Sequence, residues 1–229
     1  MSSKMSNRVG AELLGTFAFV LVGAGSAVAT KALGVSDPAA SLLIGALANG
    51  LGLAVAVTAT MGISGGSLNP AVTLALFVAK KLSARDVVPY IIAEIAGATL
   101  AGLALIASLP AAFGKAVFWG APTLSPTMST AQGTLLELIM TVFLAVAIFG
   151  TAVSPRAPKV GGFGIGVAVL ADVLLGGPFT GAAMNPARAM GPMLAGLFLP
   201  GYLYIYWVGP VAGAIVVGVL YRYFAGNNS

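Results

Sequence analysis

The chain has 229 residues, of which 59% are hydrophobic and 7% charged, with a mean hydropathy of +1.01 and a formal net charge of +5. Soluble domains carry about 25% charged residues, so a water-solvated surface is excluded and a polytopic helical membrane protein is expected. With no Cys and no His, disulfides, thiolate metal sites, a cysteine nucleophile and a histidine base are ruled out, and no cofactor or metal is expected.

Residues 1–8 are polar and basic, and Val9 to Thr30 is apolar except for Glu12. That run is longer than the roughly 7–15 residues of a signal h-region, so it reads as a retained first span over 9–30. A second span is expected over 39–60. Gly62, Gly65 and Gly66 then lead into Asn69-Pro70-Ala71, which opens an apolar run ending before Lys80. Such a run of about 11 residues at 1.5 Å rise reaches roughly 16 Å, about half of a 30 Å hydrocarbon core. It is therefore expected to be a re-entrant loop and half-helix over 61–79. Asn is a preferred N-cap, and Pro at the first helical position gives up no useful hydrogen bond.

A third span is expected over 84–109, a polar loop over 110–130, a fourth span over 131–152 and a fifth over 160–177. Gly176, Gly177 and Gly181 precede a second tripeptide, Asn185-Pro186-Ala187, giving another re-entrant loop and half-helix over 178–198. A sixth span covers 200–224. The runs lack the alternating polar positions of a barrel strand.

The halves repeat. The tripeptides are 185 − 69 = 116 apart, and Tyr90 with Ala93-Glu94-Ile95-Ala96-Gly97-Ala98 matches Tyr206 with Gly209-Pro210-Val211-Ala212-Gly213-Ala214 at the same offset, 206 − 90 = 116. Glu12-x-x-x-Thr16 in the first span matches Glu137-x-x-x-Thr141 in the fourth. Three spans per half invert the second half, and sites are expected where such repeats meet. Lys4, Arg8, Lys80, Lys81, Arg85, Arg156, Lys159 and Arg222 then share one side, against Lys31 and Lys115 on the other. That bias places both termini in the cytoplasm and accounts for the basic excess without a nucleic acid. Small residues such as Ala93/Gly97, Gly209/Gly213 and Gly45, Ala48, Gly52, Ala56 read as helix-packing positions.

The two Asn-Pro-Ala motifs, Arg188 behind the second, the paired Glu-x-x-x-Thr segments and the six spans resemble the major intrinsic protein family of aquaporins and glycerol facilitators, over nearly the whole chain. The resemblance implies an all-α membrane fold of six transmembrane helices and two re-entrant half-helices in one channel domain, 1–229, with inverted repeats over about 9–109 and 131–224. It implies a homotetramer in the cell membrane and a passive path for water and small uncharged solutes that excludes protons and ions. Each Asn caps its half-helix through the side-chain oxygen, leaving amide N–H groups for a water in the lumen, and the half-helix N-termini disfavour cations.

In this family the arginine belongs to a ring of four, which spacing from the tripeptides places at Asn49, Val173, Ala182 and Arg188. Strict water channels carry an aromatic residue and a His in that ring. Here both are missing, so an opening wider than one water is expected, with glycerol, urea or ammonia as further solutes. Ala189 stands where glycerol facilitators carry Asp, whereas Tyr206-Trp207 is a water-channel trait. Glu12 and Glu137 are expected to accept from N–H groups of the re-entrant backbone. Asp172 either pairs with Arg188 or is solvated, and Glu94 has no assigned role. Competing readings are a facilitator chiefly for glycerol, another small solute or ammonia, or a secondary transporter; the latter lacks charged partners at the midplane. An enzyme would need a nucleophile beside a base, and neither is visible.

Overall fold

The computed structural model describes residues 4–226; residues 1–3 and 227–229 of the expected domain lie outside the described residues. In chain order the helices are α1 (Met5–Ala32), α2 (Pro38–Thr60), α3 (Pro70–Val78), α4 (Ala84–Ser108), the short α5 (Ala111–Ala116) with a single 3-10 turn (Phe118–Gly120), α6 (Thr130–Ile148, prolonged by a π turn over Phe149–Val153), α7 (Phe163–Thr180), α8 (Pro186–Ala195) and α9 (Ile205–Gly226). Six of them, α1, α2, α4, α6, α7 and α9, are long and apolar enough to cross a membrane. The half-helices α3 and α8 hold 9 and 10 residues.

Starts are set by local chemistry. Asp37 caps α2 by accepting from Ala39 N, ahead of Pro38. Ser129 and Gln132 form a reciprocal capping box at α6. Several boundaries differ from expectation: α1 starts at Met5 and α9 at Ile205. The fifth span runs through Pro178 to Thr180, and the stop comes at Gly181, whose φ of +75° terminates the helix. The loop over 110–130 contains α5 and the 3-10 turn, which are too short to show a period.

Packing follows the repeat. α1 lies against α2 and α4, α6 against α7 and α9, and α2 against α7 across the halves. Each half-helix crosses over: α3 packs on α9 and α8 on α4. Small residues make the contacts close. A Cβ added to Gly97 would meet the Leu13 carbonyl, and one added to Gly213 would lie 2.5 Å from the Leu138 carbonyl oxygen. Gly45 is different: it meets no neighbouring helix and lines a cavity instead. At the start of the bundle, Arg8 on α1 binds Asp86 on α4 through two bonds of 2.6 and 2.9 Å.

Candidate functional site

The two re-entrant loops share one backbone pattern. Gly65, Gly66 and Leu68 have φ of +97°, +63° and +49°, and Gly181, Ala182 and Met184, each 116 residues on, have +75°, +45° and +51°. Left-handed conformations cost free energy for non-glycine residues, so Leu68, Ala182 and Met184 are held there by their surroundings.

The carboxyl groups behind the loops do much of that holding. Glu12 accepts from Ser67 N at 3.2 Å and Leu68 N at 2.7 Å. Glu137 accepts from Ala183 N at 3.0 Å, Met184 N at 2.7 Å and Thr180 Oγ1 at 2.7 Å. The tyrosines add a matching bond in each half, Tyr90 to the Ser64 carbonyl at 2.9 Å and Tyr206 to the Thr180 carbonyl at 2.7 Å. The Glu-x-x-x-Thr pairs are less alike. Thr141 donates to the Glu137 carbonyl, while the Thr16 hydroxyl is buried without a partner.

Asn69 Oδ1 accepts from Ala71 N, and Asn185 Oδ1 accepts from Ala187 N and Arg188 N. The amide nitrogens then cross between the loops: Asn69 Nδ2 donates to the Met184 carbonyl at 3.0 Å, and Asn185 Nδ2 donates to the Leu68 carbonyl at 2.8 Å. The expectation that both N–H groups of each amide are free is corrected here. One of each pair is spent on the opposite loop, and one remains for a molecule in the cavity that both residues line.

That cavity has a volume of about 300 Å³ and runs from Lys81 and Leu82 to Asn49 and Arg188. Its walls are mostly apolar (Leu53, Val57, Leu144, Ile148, Val169), interrupted by the backbone of 64–67 and 182–185. A second cavity of about 330 Å³ opens beyond it, lined by Ser26, Lys31, Ser41 and Gly177 among others. The residues common to both are Asn49 and Arg188. Asn49 Oδ1 accepts from Arg188 Nε at 3.4 Å, and Asn49 Nδ2 donates to the Gly45 carbonyl at 2.9 Å. Arg188 Nη1 donates to the Gly120 carbonyl at 3.1 Å.

Of the other two expected ring positions, Ala182 lines the first cavity. Val173 is buried, 7% exposed, and lines neither cavity, although Val169 and Gly177, one turn to either side on α7, line one each. Asp172 neither pairs with Arg188 nor is solvated: it is 3% exposed, and its Oδ2 has no hydrogen-bond partner. It lines neither cavity. Sequence reasoning missed Gly120, whose carbonyl fixes Arg188, and Gly23, whose missing side chain makes room for Asn49. Neither contact leaves a signal in the sequence: the first uses a backbone carbonyl, and the second a side chain that is missing.

Comparison with known proteins gives a consistent picture. The sequence model described as "Major intrinsic protein" matches residues 1–221. The chain is 42% identical to Aquaporin TIP4-4 of Zea mays over 219 residues, covering 92% of this chain and 83% of that protein. It is 37% identical to the probable aquaporin AqpM of Archaeoglobus fulgidus over 244 residues, covering 98% and 99%. The fold resembles the X-ray structure of the aquaglyceroporin from Plasmodium falciparum, with a TM-score of 0.84, 23% identity and 96% of each chain covered.

Proposed function

Because this chain belongs to the major intrinsic protein family and is a passive transmembrane channel for water and small uncharged solutes, we propose that its conduction path is the pair of cavities joined at Asn49 and Arg188. Asn69-Pro70-Ala71 and Asn185-Pro186-Ala187 form the midpoint of that path. A water there accepts the remaining N–H of each Asn amide and turns its own hydrogens away, which interrupts a hydrogen-bonded wire for proton hopping. The positive ends of two half-helices oppose cations at the same point.

Glu12 and Glu137 hold the two loops, so the Asn side chains are presented in fixed geometry. Asn49, Ala182 and Arg188 form the narrowest ring, with Arg188 supplying donors and a positive charge, and Val173, the fourth expected member, lies outside the lining of both cavities. None of the other three is aromatic, which supports passage of glycerol, urea or ammonia beside water. Major intrinsic proteins are channels and transporters, and we assign this chain no catalytic activity. Its multi-pass body forms one channel domain, working as a homotetramer in the cell membrane with both termini cytoplasmic.

The observation that carries the reading is the reciprocal bonding of Asn69 and Asn185 across the loops at the wall of one continuous cavity. Stopped-flow light scattering on proteoliposomes tests it, comparing water, glycerol, urea and ammonia. Water flux above that of empty liposomes, non-saturating and weakly dependent on temperature, is expected. Saturable flux coupled to an ion gradient would instead identify a secondary transporter.

A further inference from the structure

The first half-helix has two fully buried carboxyl groups behind it, Glu12 and Glu94, which share a hydroxyl partner; the second has Glu137, with the buried Asp172 of α7 making no contact with its loop bonds. The position 116 residues beyond Glu94 is Pro210, so the extra acid breaks the repeat. The two acids meet through Ser67, whose Oγ lies 3.0 Å from Glu12 Oε2 and 2.9 Å from Glu94 Oε1. Thr73 Oγ1 lies 2.8 Å from Ser67 Oγ and 2.7 Å from Glu94 Oε1. Four oxygen–oxygen contacts are thus at hydrogen-bond distance, while two hydroxyl groups bring one proton each.

The surroundings of the two acids differ. Glu12 receives the N–H groups of Ser67 and Leu68, one on each oxygen, so both of its oxygens act as acceptors. Glu94 Oε1 meets the hydroxyl groups of Ser67 and Thr73, and its Oε2 has no partner. Among the described residues, no cation forms an ion pair with either acid. Arg8 is committed to Asp86, Arg188 to Gly120 and Asn49, and α3 carries no charged side chain. Ionising Glu94 would place a second anion beside Glu12 in a fully buried site, which is strongly unfavourable.

We propose that Glu94 is a neutral carboxylic acid that positions the first re-entrant loop, leaving Glu12 as the one charge behind Asn69. With the proton on Oε1, Glu94 donates to Thr73 Oγ1, Thr73 to Ser67 Oγ, and Ser67 to Glu12 Oε2. Each hydroxyl donates once and accepts once, and three of the four contacts carry a proton instead of two. Each re-entrant loop is then held by one carboxylate, Glu12 or Glu137. Its consequence for cation exclusion rests on the conduction path proposed above, but the protonation state does not.

The chain contains three glutamates, Glu12, Glu94 and Glu137, so isotopic labelling of the glutamate carboxyl isolates them in infrared spectra of the reconstituted protein. A label-shifted carbonyl stretch of a protonated acid is expected at neutral pH, moving in heavy water and disappearing in Glu94→Gln. If that variant does not fold, Glu94→Asp with unlabelled aspartate makes the same assignment, because the acid band leaves the labelled set. A labelled wild-type spectrum with no protonated band, or a band that either variant retains, overturns the proposal. Water flux measured on the same samples separates the outcomes: a protein that conducts nothing yet shows the band contradicts the channel reading alone.

Discussion

Replacing Asn185 or Asn69 by Ala tests the joint between the loops, and the structure sets the size and order of the effects. Asn69→Ala removes one cap bond, from Ala71 N, and leaves the buried Met184 carbonyl without its donor. A lost cap costs about 1 kcal/mol and an orphaned buried acceptor about 1–3 kcal/mol, for a sum of about 2–4 kcal/mol. Asn185→Ala removes the bond to the Leu68 carbonyl together with two cap bonds, from Ala187 N and Arg188 N. It is expected to cost more by roughly one net hydrogen bond, about 0.5–1 kcal/mol. The assay is denaturant unfolding of the purified protein in detergent, followed by circular dichroism, with the double variant completing a cycle. Losses below about 0.5 kcal/mol for both variants, the range of an unremarkable surface change, would refute the argument. So would a larger loss at Asn69 than at Asn185.

Gly23→Ala would bring a methyl group into collision with Asn49 Oδ1 and displace that side chain; glycerol flux is expected to fall more than water flux in proteoliposomes, and an equal fall would contradict the assignment of the narrowest point. Asn49→Phe with Val173→His is expected to act in the same direction, and because Val173 lines neither cavity, a contribution from the His measured separately decides whether that position reaches the path. With no Cys in the chain, mercurials are expected to leave water flux unchanged; strong inhibition would point to a mechanism other than thiol capture.

The architecture was legible because its signals are local or periodic. Apolar runs of span length, two Asn-Pro-Ala starts and a constant offset of 116 lead directly to six spans and two half-spans. The end of α7 differs because Gly176 and Gly177, read as the approach to the second loop, lie within the helix, which continues through Pro178 to Thr180 before Gly181 stops it. The site was legible only where a side chain's type announces its task, as with Asn69, Asn185, Arg188 and the carboxyl groups. Gly120 acts through its carbonyl, which every residue possesses, so its bond to Arg188 leaves no mark in the sequence. Asp172 was misread because its surroundings depend on the rotation of α7 within the bundle. Glu94 had no assigned role because its partners, Ser67 and Thr73, become neighbours only once the first loop folds back against α4.

The crossed amide bonds also bear on how the protein is made. Chains emerge from the ribosome N-terminal end first, so α1 to α4 are synthesised before Asn185 exists to meet the Leu68 carbonyl, and before α9 exists to cover α3. In lipid, an unpaired carbonyl and an uncovered half-helix have no water to satisfy them. The nascent first half is therefore incomplete in a chemical sense as well as a sequential one, and the second half completes it on arrival.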